Sequence, residues 1–441
     1  MGPEWGGVGG PGQNVPIGEQ LKVAAAIADI LNKQDYLILL SKAMVMYGAP
    51  IHRLDANLSA SASVLNIEAS FTSLPGLLII SFGDADTHTS ETKILRVPAG
   101  YGLARLNTAD RLSKAVKNGE LDLEEATASL EELVHAKGGY YPRWVDLLSW
   151  VVSSFCSTTL AFQGTWVDAG VAAMLGLGVG SMSWLAAKLN AYSDLFEITA
   201  AVVVSFIAAA MRHHICYQVV TLSAVVLLLP GLALTTSVME LASRNMVSGA
   251  VRMFHAIVMA FILGFGLSLG TTFWRFFDPF DMTELTVGCA PGPSPWYILL
   301  NFPFLAWAFV TQLQGSFRQM PVAFAVSALG FACSYFTGRW LDSPTASPTL
   351  AAFVIGVAGN LYARFTGELA IVPVLPAILL LVPGSMGVRG TLAFLSKESS
   401  QGTAFAGQMV LVALGITVGL FAAALVVIPI GRRRRSAMMA V

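Results

Sequence analysis

The sequence predicts an α-helical polytopic membrane protein, with about ten transmembrane helices as two inverted five-helix repeats behind a small cytoplasmic α+β domain. Three observations predict it. Of the 441 residues, 55% are hydrophobic and 12% charged, with a mean hydropathy of +0.66, whereas soluble domains carry roughly 25% charged side chains. Soluble globular, disordered, collagen-like and coiled-coil chains are thereby excluded. The charge is concentrated in the N-terminal third, and the character of the chain changes abruptly at Tyr140-Tyr141-Pro142-Arg143-Trp144, a cluster suited to a membrane–water interface. The charge-poor remainder contains an internal duplication with an odd number of apolar segments per copy.

The elements follow in order. Residues 1–16 are rich in Gly and Pro, lack a signal-peptide core, and read as a flexible segment. Residues 17–143 read as the cytoplasmic domain. Helical spacing covers Ile17–Asn32, Tyr36–Met46 and His52–Leu65. Short β-type runs at Ile67–Leu74, Leu77–Phe82 and Lys93–Val97 are separated by Pro75-Gly76 and the polar Gly83–Glu91. Helices resume at Leu103–Val116 and Leu123–Ala136, the latter with Asp122 placed as N-cap.

The first membrane repeat, 144–276, holds apolar segments at Val145–Phe162, Val167–Ala187, Leu195–Met211, Ile215–Leu229 and Phe254–Thr272. An acidic, Pro-rich connector, 277–295, leads to the second repeat, 296–431. Its segments are Trp296–Leu313, Pro321–Gly338, Thr349–Tyr362, Leu369–Val382 and Phe405–Ile430. Several are shorter than the roughly 20 residues of a perpendicular crossing, so nine or eleven crossings are compatible with the pattern. Ten put both termini on one side, and Arg432–Arg435 in the basic tail, 432–441, marks that side as cytoplasmic. Plasma and vacuolar membranes are not distinguished.

The duplication aligns LSAVVLLLPG (Leu222–Gly231) with LPAILLLVPG (Leu375–Gly384) and runs without a gap to Leu267 and Leu420, with eleven identities. Five segments per copy force opposite insertion, and inverted repeats with a midplane substrate site characterise secondary transporters. In each copy a Pro-Gly pair, Pro230-Gly231 and Pro383-Gly384, ends an apolar run. Such a break frees backbone groups and starts a new helix, which places both pairs as substrate-binding or gating elements. The alternative is an ordinary helix end followed by a loop.

Ionisable residues at membrane depth are functional candidates. Glu240 and Arg244, four apart, form either an exposed helical pair or part of the substrate path. Arg389, after the second break, could grip a carboxylate or lie at the surface. Asp168, Glu368 and His255 are proton-coupling candidates. Against those roles stand an N-cap for Asp168, an ion pair with Arg364 for Glu368 and helix packing for His255.

The four cysteines (Cys156, Cys216, Cys289, Cys333) are scattered without metal spacing. Three of them lie in apolar stretches and read as small buried hydrophobes, and no disulfide framework or zinc site follows. Without a nucleotide loop, HExxH or GxSxG, no cofactor, metal site or enzymatic activity is expected. The chain carries no basic patch for nucleic acid. The implied partners are the lipid bilayer and a small polar metabolite, with homo-oligomerisation compatible.

YGAPIHRLDANLSASASVLNIEASF (Tyr47–Phe71), LNTADRLSKAVKNGELDLEEATASLEEL (Leu106–Leu133), GTWVDAGVAA (Gly164–Ala173) and LLLPGLALTTSVMELASRNMVSGAVRM (Leu227–Met253) resemble the threonine/serine exporter family. The likeness is greatest to its fungal branch, the pheromone-regulated membrane proteins. It implies a cytoplasmic N-terminal domain, ten transmembrane helices and amino-acid efflux, with dicarboxylate export in members split into two chains. A scaffold or sensor in fungal mating is the alternative, and the resemblance carries no site residues across.

Overall fold

In the computed structural model, the described residues are 17–427 apart from 85–88, 99, 137, 281–284, 286–288, 290–291, 295, 342, 344, 383, 387 and 390–398. Helix α1 (Ile17–Met46) is one helix where the sequence suggests two. The polar stretch between them has no breaker, and Lys33, in the expected gap, pairs one turn back with Asp29 at 2.6 Å. Helix α2 (Ile51–Val64) follows, then strands β1 (Ala69–Leu74), β2 (Leu77–Asp84) and β3 (Thr89–Arg96) in an antiparallel meander. Strands β2 and β3 reach into the stretch read as a polar separator, pairing Asp84 with Thr89. Along β2 the alternate residues Leu78, Ile80 and Phe82 are buried, facing a core with Tyr36, Leu40 and Leu58. Helices α3 (Leu103–Asn118) and α4 (Leu123–His135) complete this domain. Asp122 is the N-cap of α4 by position but makes no side-chain capping bond.

The apolar region is helical throughout its described part. Its elements are α5 (Arg143–Leu160), α6 (Trp166–Lys188), the single turn α7 (Asn190–Ser193), α8 (Phe196–Ala210), α9 (Tyr217–Ala224), α10 (Gly231–Ala242) and α11 (Met246–Arg275). After the connector come α12 (Tyr297–Gln312), α13 (Met320–Leu341), α14 (Ala346–Thr366), α15 (Ile371–Leu379) and α16 (Ser399–Val427). Among the described residues, five helices are long and apolar enough to cross a membrane, or six if the bent pair α9–α10 is one span. Of the other predicted segments, α8, α12 and α15 are shorter apolar helices, and α5 has the length, 18 residues, but carries Arg143, Asp146 and many hydroxyl side chains.

Gly231 and Gly384 lie 153 residues apart, and the same offset relates the helices of the two halves. It carries α5 onto 296–313, α6 onto 319–341, α8 onto 349–363 and α11 onto 399–428, each within three residues of α12, α13, α14 and α16. The packing repeats as well: α5 lies on α6 as α12 on α13, and α8 on α11 as α14 on α16. The equivalent helices α5 and α12 run antiparallel. Asn301, early in α12, donates to Thr159 late in α5 at 2.9 Å, while Gln312 at the end of α12 donates to Ser149 near the start of α5 at 2.6 Å.

The N-terminal domain docks on one end of this assembly. Gly102 gives α3 no side-chain cap, and the first N–H groups of that helix, Leu103 and Ala104, donate instead to Leu313 and Gln314 just beyond α12, both at 3.0 Å. Lys114 reaches Gly367 O at 2.6 Å. At the opposite end of α5 and α12 the chain is tied covalently. Cys216 and Cys289 form a disulfide, where the sequence reading expected no disulfide framework. Seventy-three residues separate them, so only the folding back of the connector, a tertiary event, brings them together. An ion pair, Arg212–Asp278 at 2.8 Å, holds the connector at the same end.

Candidate functional site

The two Pro-Gly breaks meet. In the first half α9 gives way to one 3-10 turn (Val226–Leu228) and Pro230, and α10 starts at Gly231 with a 59° change of direction. In the second half α15 ends at Leu379 and helix resumes at 384–386; Pro383 lies outside the described residues. Gly231 and Gly384 pack backbone to backbone. A Cβ on Gly231 would lie 2.0 Å from Val382 Cγ1 and 2.8 Å from Gly384 Cα, and one on Gly384 would lie 2.9 Å from Leu229 Cβ. Real side chains do not approach so closely, so only glycine lets the two breaks touch. Both glycines line a cavity of about 610 Å³ together with Ser157, Phe309, Gln312 and Ser385.

A second cavity, about 320 Å³, lies between the N-terminal domain and helices α10, α11 and α15. Its wall is mostly apolar, but Glu240, Arg252, His255 and Thr236 converge on it from α10 and α11. Tyr101, from the segment before α3, borders both cavities. The sequence spacing suggested Glu240 with Arg244. The structure instead buries Glu240 and pairs its Oε1 with Arg252 at 2.9 Å, while Ser248 donates to Oε2 at 3.0 Å. Arg244 adopts φ +67° in the turn between α10 and α11, which breaks the helical spacing that an i,i+4 pair needs.

The other candidates are dispersed. Asp168 forms a capping box with Thr165 at the start of α6 and also accepts the Cys216 N–H at 2.8 Å. Glu368 accepts from Tyr362 at 2.7 Å in the turn between α14 and α15, and Arg364 bonds Val427 O rather than Glu368. Arg389 lies over the Phe162 ring at 5.7 Å. Among the described residues no group of three His, Cys, Asp or Glu side chains could hold a metal ion.

The sequence profile of the family described as "Putative threonine/serine exporter" matches residues 35–274 and 290–427. The chain belongs to the threonine/serine exporter family. It is 35% identical over 438 residues to the pheromone-regulated membrane protein 10 of Saccharomyces cerevisiae, covering 94% of this chain and 56% of that protein. For the proteins of the same name in Kluyveromyces lactis and Candida albicans the identity is 34%, over 94% of this chain and 46% and 40% of theirs. The chain thus spans about half the length of the curated relatives it matches. No solved structure matches it.

The family match skips 275–289, which contains the disulfide partner Cys289 and the Asp278 of the connector's ion pair. Tyr101 and Arg252 were missed as site residues by sequence reasoning. For Tyr101 the available signal was its position between Gly100 and Gly102, within a run of small residues that allows close approach. For Arg252 there was none, since its partnership with Glu240 depends on the turn at Arg244.

Proposed function

We propose that the chain is a secondary transporter that exports small polar metabolites, amino acids such as threonine and serine first among them. Ten crossings in two inverted five-helix halves would give alternating access, with both termini cytoplasmic. The observation that carries this reading is the contact of Gly231 with Gly384 beside the larger cavity. Paired helix breaks around a central cavity are how inverted-repeat carriers build a substrate site. The shared 153-residue offset and the antiparallel α5 and α12 support the same arrangement. The Cys216–Cys289 disulfide, at the end away from the N-terminal domain, suits a non-cytoplasmic face.

In this reading Pro230, Gly231, Pro383 and Gly384 form the gating centre. Glu240 belongs to the cytoplasmic approach, with Arg244 at its edge and Arg389 on the far side of the breaks. Proton coupling is assigned to His255, whose imidazole shares a cavity with Glu240, Arg252 and Tyr101. Asp168 and Glu368 are less suited, because their recorded contacts are those of a helix cap and a loop contact.

Efflux from proteoliposomes loaded with labelled threonine, serine or succinate, with and without a pH gradient, tests the proposal. Saturable efflux of threonine or serine supports it; succinate efflux alone moves the substrate class to dicarboxylates. Absence of flux for all three under either gradient overturns it.

A further inference from the structure

The cavity beneath the N-terminal domain has the features of a binding site in its own right. Its volume of about 320 Å³ lies at the lower end of small-molecule pockets, roughly 300–1,000 Å³, and its mostly apolar wall with a few converging polar groups fits the usual design. The charged group within reach of a ligand is Arg252. Glu240 is sealed, its side chain 3% exposed, and both of its oxygens are engaged; the Arg252 side chain keeps 28% of its surface open. A guanidinium has five N–H donors, and among the described residues Glu240 takes the one hydrogen bond recorded for Arg252. The ion pair therefore orients the guanidinium and leaves donors over for an acceptor in the cavity.

We infer that this cavity binds the carboxylate of a small metabolite, with Arg252 as the anion-recognising residue and the N-terminal domain as part of the site. Planar guanidinium matches planar carboxylate with two parallel hydrogen bonds. Thr235 and Thr236 on the same wall donate their hydroxyl hydrogens to Gly231 O and Leu232 O, so their oxygens are left as acceptors for a donor group of the ligand. The domain contributes through Tyr101, set between the two cavities. A Cβ on Gly48, at φ +85°, would lie 2.7 Å from Gly100 O, so that glycine permits the close approach which presents the phenol. The site makes the N-terminal domain one wall of the substrate path. It rests on the exporter reading for the size of its ligand and for its place on the substrate path.

Purified full-length chain is tested by thermal stabilisation and isothermal titration with threonine, serine, succinate and L-threoninol, in which CH2OH replaces the carboxylate. The expected result is binding of at least one carboxylate and none of threoninol, with threonine or serine against succinate deciding between amino acid and dicarboxylate. Arg252→Gln should weaken binding about 10- to 100-fold. Glu240→Gln/Arg252→Gln repeats the test without a stranded buried charge, and Arg252→Lys should recover part of the affinity. Equal binding of threoninol, no binding of any carboxylate, or affinity unchanged in the folded double variant overturns the site. Carboxylate binding without flux leaves the site standing while the exporter reading fails. Flux untouched by the Arg252 variants sinks the site while the exporter reading stands.

Discussion

The Asp168 carboxylate accepts the backbone N–H of Cys216, 48 residues further along the chain, at 2.8 Å. Its other oxygen accepts the Thr165 N–H and hydroxyl, each at 2.8 Å. One buried side chain thus caps α6, fixes the start of α9 and sits beside the disulfide. Three donors depend on it. Asp168→Ala leaves them unsatisfied, and the expected loss is about 2–4 kcal/mol, visible as a lower Tm in thermal scans of the detergent-solubilised chain. In protein that still folds, the pH dependence of flux should be unchanged by Asp168→Asn. A flattened pH profile would return Asp168 to the proton path.

The meeting of the breaks gives a graded prediction. At Gly231 an added methyl would overlap Val382 and the Gly384 backbone; at Gly384 it would meet Leu229 Cβ at 2.9 Å; at Gly178 it would meet nothing within 4 Å. Overpacking of this kind costs about 1–3 kcal/mol. Gly231→Ala should therefore reduce both Tm and transport, Gly384→Ala should do so less, and Gly178→Ala should do neither. Equal transport by all three, measured in proteoliposomes, would mean that the contact does not serve gating.

The helical, membrane-type character of the chain was legible because hydropathy is a local signal. The ten apolar segments read from the sequence fall on helices of the described residues, of which five, or six with the bent α9–α10 pair, are long and apolar enough to cross a membrane. What could not be read depends on tertiary approach. Cys289 meets Cys216 because the connector folds back, with Phe280 and Leu285 buried against the helices. Glu240 meets Arg252 because the chain turns at Arg244. In the N-terminal region the split of α1 failed because Lys33 and Gln34 are good helix formers and no Gly or Pro interrupts the stretch.

The disulfide supplies a test of sidedness. Closing a 73-residue separation contributes about 4 kcal/mol in the chain-entropy account, so Cys289→Ser should lower Tm markedly. In sealed cells, a membrane-impermeant reductant followed by an impermeant maleimide should label Cys216 and Cys289 if the chain resides in the plasma membrane. Labelling that requires permeabilisation of an internal compartment places it there instead. Labelling without reductant, with both thiols free in non-reducing peptide maps, removes the disulfide altogether.

Two groups in the N-terminal domain predict its pH response with opposite signs. Burial pushes Asp55 up to about 6, and its Oδ1 has no hydrogen-bond partner among the described residues. The folded state then holds a proton that the unfolded state releases above about 4. The stability from that proton is present below pH 4 and is lost as pH rises to about 6. Burial lowers Lys117 to about 8, against the opposing charge of Asp110. Here the unfolded chain binds more protons between about 8 and 10.5, so stability rises with pH across that window. Asp55→Asn mimics the protonated form and should raise Tm by about 2 °C at pH 7.5, a figure reduced for partial exposure. The gain over wild type should shrink to nothing near pH 4. For Lys117→Met, wild type should gain on the variant from pH 8 to 10.5. Thermal scans of the full chain across pH 4–10.5 check both, and parallel curves for wild type and variants would show that neither group couples protonation to folding.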